Sequence, residues 1–194
     1  MVPHTTPPIW PSVRPGRFAS TIRRDSANGC RIALLGLPDD TGVRLNSGRP
    51  GASDGPRAFR AALAAFGTDF DAPDSQSLAG VVFDAGDVKP VEDSSPIESM
   101  QATHERVTEA ALALHERGLI VFAVGGGHDL SFPTIRALSR HTGAAVGGVN
   151  VDPHLDVRDP KTEPGSGIPF RALIEGGYLD PERFVEYGAG RFTN

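Results

Sequence analysis

Residues 119–158 read LIVFAVGGGHDLSFPTIRALSRHTGAAVGGVNVDPHLDVR, and the order of residue types along them decides the architecture. The run at 119–124 is wholly apolar and too short for a helix, which predicts a fully buried strand. Three glycines end it. Ser131 can then cap a helix running to about His141, and residues 144–151 predict the next strand. Strand–helix–strand alternation with near-continuous apolar strands is the mark of a parallel sheet covered on both faces. Ligands of such sheets bind beyond the carboxyl ends of the strands. The two polar clusters of this stretch, GGGHD at 125–129 and DPHLD at 152–156, fall there.

Outward from this unit the alternation continues. Residues 31–37 (RIALLGL) predict another buried strand, followed by a polar, glycine-rich loop at 38–54. A helix is expected at 55–66, with Pro56 in its first turn, Phe59, Ala62, Leu63 and Phe66 on one face, and Gly67 as its stop. A brief strand at 80–83 leads into Asp84-Ala85-Gly86-Asp87. The helix at 96–117 has the fullest signature: Ser95 and Glu98 make a capping box around Pro96, and Gly118 supplies the stop. Ile97, Met100, His104, Val107, Ala111 and Leu114 recur along it as one buried stripe. Residues 169–175 predict a short helix and 183–187 the start of a strand. Ahead of all this, residues 1–28 form a proline-rich arm, which leaves 29–194 as a single α/β domain.

Composition excludes several classes. Lys and Arg number 19 against 24 Asp and Glu, a formal charge of −5, and no basic run interrupts it. That argues against nucleic acid and against anionic membranes as partners. Cys30 is the sole cysteine, so an internal disulfide is impossible and a reducing cytoplasm is the expected location. The arm lacks the apolar core of a signal peptide, and no apolar run reaches the ~18 residues that a membrane span needs.

Asp152, His154 and Asp156 alternate along the chain. If the extended conformation persists past the strand, all three point to one side, as an imidazole and two carboxylates suited to a divalent ion of the manganese, iron or zinc kind. The plainer reading has them solvating a loop or capping a turn. Gly125–Gly127 allow a sharp turn that brings His128 to the rim of the sheet. A phosphate cradle is disfavoured, because no Lys-Ser/Thr pair follows and the spacing is not G-x-G-x-x-G. Adjacent parallel strands would set His128 beside Asp152, which favours the metal reading.

GGGHD at 125–129 and NVDPHLDVR at 150–158 resemble the first two metal motifs of the ureohydrolases, the arginase–agmatinase–formimidoylglutamase superfamily. DDTGVRLNSGRPGASDGPRAFRAAL at 39–63 and GSGIPFR at 165–171 are similar to further segments of that family, in the same order. The resemblance implies a three-layer α/β sandwich with a mostly parallel central sheet, and two Mn2+ ions bridged by a hydroxide that acts as the nucleophile. By motif position His128 and Asp156 would ligate one ion, His154 the other, and Asp152 would bridge them. Two metals roughly 3.5–4 Å apart lower the pKa of a shared water toward neutrality and orient its attack on an amidine carbon.

Within the family the D-x-H-x-D-x-R pattern most resembles formimidoylglutamase, the enzyme of histidine degradation that converts N-formimidoyl-L-glutamate to glutamate and formamide. Arg158 stands where arginases carry Asn, and it offers a permanently charged, bidentate partner for a substrate carboxylate. Arg44 and Arg171 are weaker candidates, each more typical of a loop-organising arginine. Ser166 replaces the histidine that agmatinases carry in S-H-G-x-P-F, and a serine hydroxyl is no acid near neutral pH. His104 and His141 are read as structural. The alternatives are a ureohydrolase acting on a guanidino acid and a truncated, inactive chain acting at most as a binding partner.

The family's third motif, S-x-D-x-D-x-x-D-P, does not occur in these 194 residues, so the chain resembles the N-terminal portion of such an enzyme. Without those aspartates a metal pair is expected to be poorly neutralised, leaving a single weak ion on His128, Asp152 and Asp156. The sheet is expected to carry an uncovered edge that favours association. The resemblance also implies trimers or hexamers for a full-length protein.

Overall fold

The computed structural model describes residues 2–67 and 79–191. In chain order the first elements are β1 (Thr5–Thr6), β2 (Ile32–Gly36), α1 (Thr41–Leu45), α2 (Gly55–Ala65) and β3 (Val82–Val88). They are followed by α3 (Pro96–His115), β4 (Ile120–Val124), α4 (Ser131–Thr142), β5 (Val146–Val151), α5 (Pro169–Glu175) and β6 (Leu179–Tyr187). Four strands join in the order β1-β3-β2-β4, with β2 parallel to both neighbours and β1 antiparallel at the edge. β5 and β6 form a separate parallel pair.

Helices lie on both faces of the larger sheet. Val107, Ala110, Ala111 and Leu114 of α3 pack on Ala33, Leu35 and Leu37, beside Val121 and Ala123. Phe122 alternates to the other face, where its ring meets that of Phe59 on α2 at 5.8 Å. A smaller core holds Phe170, Leu173 and Leu179 against Phe132, Ile135 and Phe184. Ser95 caps α3 as its spacing predicts, accepting from the Glu98 backbone N–H at 3.2 Å, an interaction that contributes about 1 kcal/mol. Among the described residues no helix is long and apolar enough to cross a membrane.

Five features differ from the expectation. β4 is not fully buried: it is an edge strand, with Ile120 68% and Phe122 52% exposed. Nor is it paired with β5, because α4 carries the chain across to a second pair of strands. β3 runs through Asp84–Asp87, whose carboxylates stay in the sheet because Arg60 of α2 binds both. The glycine-rich loop contains a helical turn, α1, and β6 begins at Leu179, ahead of residue 183.

The arm's course, which the sequence left open, is set by β3. Thr5 and Thr6 pair with Val88 and Asp87, Val2 is buried, and Trp10 Nε1 donates to Asp84 Oδ2 at 2.8 Å. Gly86 makes this approach possible: a Cβ there would overlap the Thr6 carbonyl. The outer face of β5 and β6 is apolar, and among the described residues Val149, Val151, Val185 and Tyr187 remain exposed on it.

A candidate metal centre at the strand ends

Three loops converge where β4 and β5 end. β4 leads into Gly125 and Gly126 at φ +97° and +85°, the left-handed region that L side chains avoid. A Cβ on Gly126 would also stand 2.5 Å from the carbonyl oxygens of Leu37 and Asp39, so only glycine fits. A 3-10 turn at His128–Leu130 follows and turns the His128 ring toward the loop after β5. The edge of Phe170 supports that ring, at 5.6 Å between centroids and 79°.

The loop after β5 does not continue the extended strand. It bends at 152–154, and Asp156 adopts φ +49°, a conformation open to aspartate but uncommon outside glycine. The expected side-by-side alternation is thus replaced by a bend, and that bend carries the Asp156 carboxylate back to His128. Nδ1 of His128 lies 2.6 Å from Asp156 Oδ2 and 3.9 Å from Asp152 Oδ2. Ligand atoms of His128, Asp152 and Asp156 all lie within 4.8 Å of one another.

His154 stands outside that group. Its Nδ1 and its backbone N–H both face Asp152 Oδ1, at 2.9 and 2.8 Å, and its side chain is 60% exposed. Asp152 therefore turns one oxygen toward each histidine. Arg158 is half-buried on the same rim: Nη1 donates to Asn46 Oδ1 at 2.9 Å and lies 3.7 Å from Glu163. Asn46 in turn donates to Ser166 Oγ at 3.3 Å, which ties α1's loop to the loop at 165–167. Sequence reasoning missed Asn46, whose only signal was its place in the glycine-rich stretch. Arg44 pairs with buried Asp40, and Arg171 with Glu175 and Asp159, so both organise their own loops. His141 stacks on His115 at 5.6 Å, remote from the centre.

The donor set suits a divalent ion. An imidazole and two carboxylates are intermediate-to-hard ligands matched to manganese, iron or zinc, and two negative charges offset a dication. The hydrogen bond to Asp156 raises the His128 pKa above its ordinary 6.5, opposed by burial and aided by the charges of Asp156, Asp152 and Asp129. Burial pushes the Asp152 carboxyl up, but the two His154 donors and the His128 charge outweigh it and hold Asp152 below its ordinary value.

A pH dependence follows. A metal held by this candidate centre would have to displace a proton from His128, so Mn2+ affinity is expected to rise about tenfold per pH unit below the raised His128 pKa and to level off above it. The metal-free chain has the opposite slope. The His128–Asp156 contribution is fully present below the unfolded value near 6.5 and is lost as pH rises through the raised folded value. Mn2+ titration and thermal unfolding with chelator, both across pH 5.5–8.5 (roughly the range in which histidine titrates), check the pair of slopes. Parallel slopes would contradict it.

The family model described as the arginase family matches residues 30–194. The chain belongs to the arginase family. Formimidoylglutamase of Aeromonas hydrophila is 35% identical over 146 residues, which cover 74% of this chain and 42% of that protein. The mitochondrial guanidino acid hydrolase of Homo sapiens is 33% identical over 195 residues, covering 96% and 52%. Among solved structures, Trypanosoma cruzi formiminoglutamase with Mn2+ superposes at TM-score 0.79 and 34% identity, over 92% of this chain and 59% of that one. Proclavaminate amidino hydrolase from Streptomyces clavuligerus, 22% identical, shares the fold at TM-score 0.74 over 94% and 58%. This arginase-family chain spans about half the length of the curated relatives it matches.

Proposed function

We propose that this arginase-family chain supplies the His128, Asp152 and Asp156 part of a Mn2+ centre that hydrolyses a linear amidine C–N bond. The substrate is N-formimidoyl-L-glutamate, released as glutamate and formamide by a longer enzyme of which this sequence is a portion. The convergence of three ligand atoms within 4.8 Å carries the reading. Relatives that are formimidoylglutamases, one solved with Mn2+, support it. Asp152, with one oxygen toward each histidine, has the arrangement a bridging carboxylate needs, and His154 would then serve a second ion.

Bound metal supplies a nucleophilic water at neutral pH. The protein's residues do the rest. His128 yields its proton and presents Nδ1 with the Asp152 and Asp156 carboxylates, and Phe170 keeps the ring from rotating away. Arg158, steadied by Asn46, receives a substrate carboxylate and sets the amidine carbon over the ligands. A guanidinium has five N–H donors, more than these two contacts use. The arm at 1–28, the domain from 29 onward, a cytoplasmic location and a homo-oligomer belong to the same proposal.

A second reading, a guanidino acid as substrate, is favoured by the human relative, whose match covers 96% of this chain. Arg158 suits either acid and repels agmatine, whose far end is a cation. Mn2+ titration of this chain, followed by the electron paramagnetic resonance of the free ion, tests the centre: one ion per chain is expected, and no binding would refute it. Product analysis on the longer enzyme separates the substrates, formamide from the amidine and urea from a guanidino acid.

A further inference from the structure

We propose that His104 and Asp129 form a positioning pair that fixes the His128 turn against α3, and through it the geometry of the metal ligands. The inference rests on the reading of His128 as a ligand. Asp129 is fully buried and follows His128 directly in the 3-10 turn, and His104, 5% exposed, donates from Nε2 to Asp129 Oδ2 at 2.8 Å. The two lie on different elements, so their bond joins the ligand turn to the longest helix.

Residues 125–127 are all glycine, so no side chain among them holds the backbone that carries His128. Its backbone is tied at Gly126, which donates to the Ala52 carbonyl at 3.2 Å, and at Gly127, which donates to the Asp39 carbonyl at 2.8 Å, and the Asp129 side chain adds a tie to α3. The His104 end is itself held on several sides. Its carbonyl accepts from Arg136 Nη2 at 3.2 Å and from Thr108 Oγ1 at 3.0 Å, and its ring lies 5.7 Å from that of Phe132. The Asp129 end is enclosed by absent side chains: a Cβ at either Gly42 or Gly127 would overlap Asp129 Oδ1. Among the described residues that oxygen is buried with no hydrogen-bond partner. Leaving a buried carboxylate oxygen unpaired is destabilising, so packing alone is better served by an apolar residue. What the carboxylate adds is a directional bond to His104, and hence a fixed orientation for its neighbour. Outer partners usually orient a metal ligand by gripping its ring. This pair does so through the backbone.

The test uses the whole chain and two readouts: Mn2+ affinity, and the imidazole proton–nitrogen NMR spectrum of the metal-free form, which reports the His128–Asp156 hydrogen bond. His104→Ala is expected to weaken Mn2+ binding about tenfold, as loss of an outer partner does, and to shift the His128 ring signals. His104→Gln, whose amide can donate to Asp129, is expected to restore both. A purely structural pair would lower the melting temperature while the folded variant kept wild-type affinity and ring signals, and that result overturns the proposal. Should His104→Ala fail to fold, His104→Leu, which keeps bulk beside Asp129 and removes the donor, is read the same way: shifted His128 signals support the pair and unchanged ones refute it. If the wild-type chain binds no Mn2+, the metal reading fails, and the ring spectrum alone still decides the positioning role.

Discussion

Arg60→Ala lowers the unfolding free energy by about 3–5 kcal/mol, the range for breaking a buried ion pair from one side. The guanidinium of Arg60 is 1% exposed and uses three of its nitrogens: Nε and Nη2 grip Asp84 at 2.7 and 2.9 Å, and Nη1 reaches Asp87 at 2.6 Å. Without it the fully buried Asp84 keeps, among the described residues, the Trp10 indole and the Gly86 backbone as donors, neither of them charged. Arg60→Lys recovers part of the loss, since an ammonium is one point charge and cannot span both carboxylates. Against a total stability of roughly 5–15 kcal/mol the loss amounts to about a fifth of it at the least and all of it at the most. Urea denaturation measures it: the midpoint falls with the slope unchanged, and a loss below about 1 kcal/mol would show that the network contributes little.

The second large effect is on the metal. Asp156→Ala removes the carboxylate nearest His128 and takes one of only two negative charges from the three-ligand group. Outer partners of a metal already contribute ten- to a hundredfold in affinity, so loss of a ligand exceeds about 100-fold. His154→Ala is the contrast. That ring is mostly in solvent and outside the group, so for a single ion its removal changes affinity by less than about threefold, the scale of a surface substitution. Equal losses in the two variants would mean that His154 swings inward when the ion binds.

These two predictions differ in how far they were legible in the sequence. The ends of α3 were, because Ser95, Glu98 and Gly118 act on the backbone within a few residues of themselves. So were β2 and β4, whose apolar runs admit no other short structure. The length of β3 was not. Asp84 and Asp87 look like loop residues until Arg60, far back in the chain, is seen to neutralise them. The exposed edge of β4 was hidden for a similar reason: an apolar run records that a strand expects cover, and says nothing about which segment provides it. At the candidate centre, the residue types and their order at 128, 152 and 156 were readable. The means of convergence was not, since it depends on a left-handed Asp156 and not on strand alternation. Asn46 and the His104–Asp129 bond were invisible, because each joins residues whose local surroundings carry no sign of the other.

The pairing of Thr5 with Val88 has a consequence for how the chain acquires its shape. The arm leaves the ribosome before β3 and yet cannot make this pairing until the whole of β3 has emerged. Arg60 waits for the same strand. Early in synthesis the proline-rich segment stays extended, which proline favours over premature helix, and closing so long a loop is slow compared with forming α2 or α3. The arm, made before its partner strand, is thus among the last segments to settle, and once Trp10 is seated on Asp84 the order of assembly is no longer visible in the finished molecule.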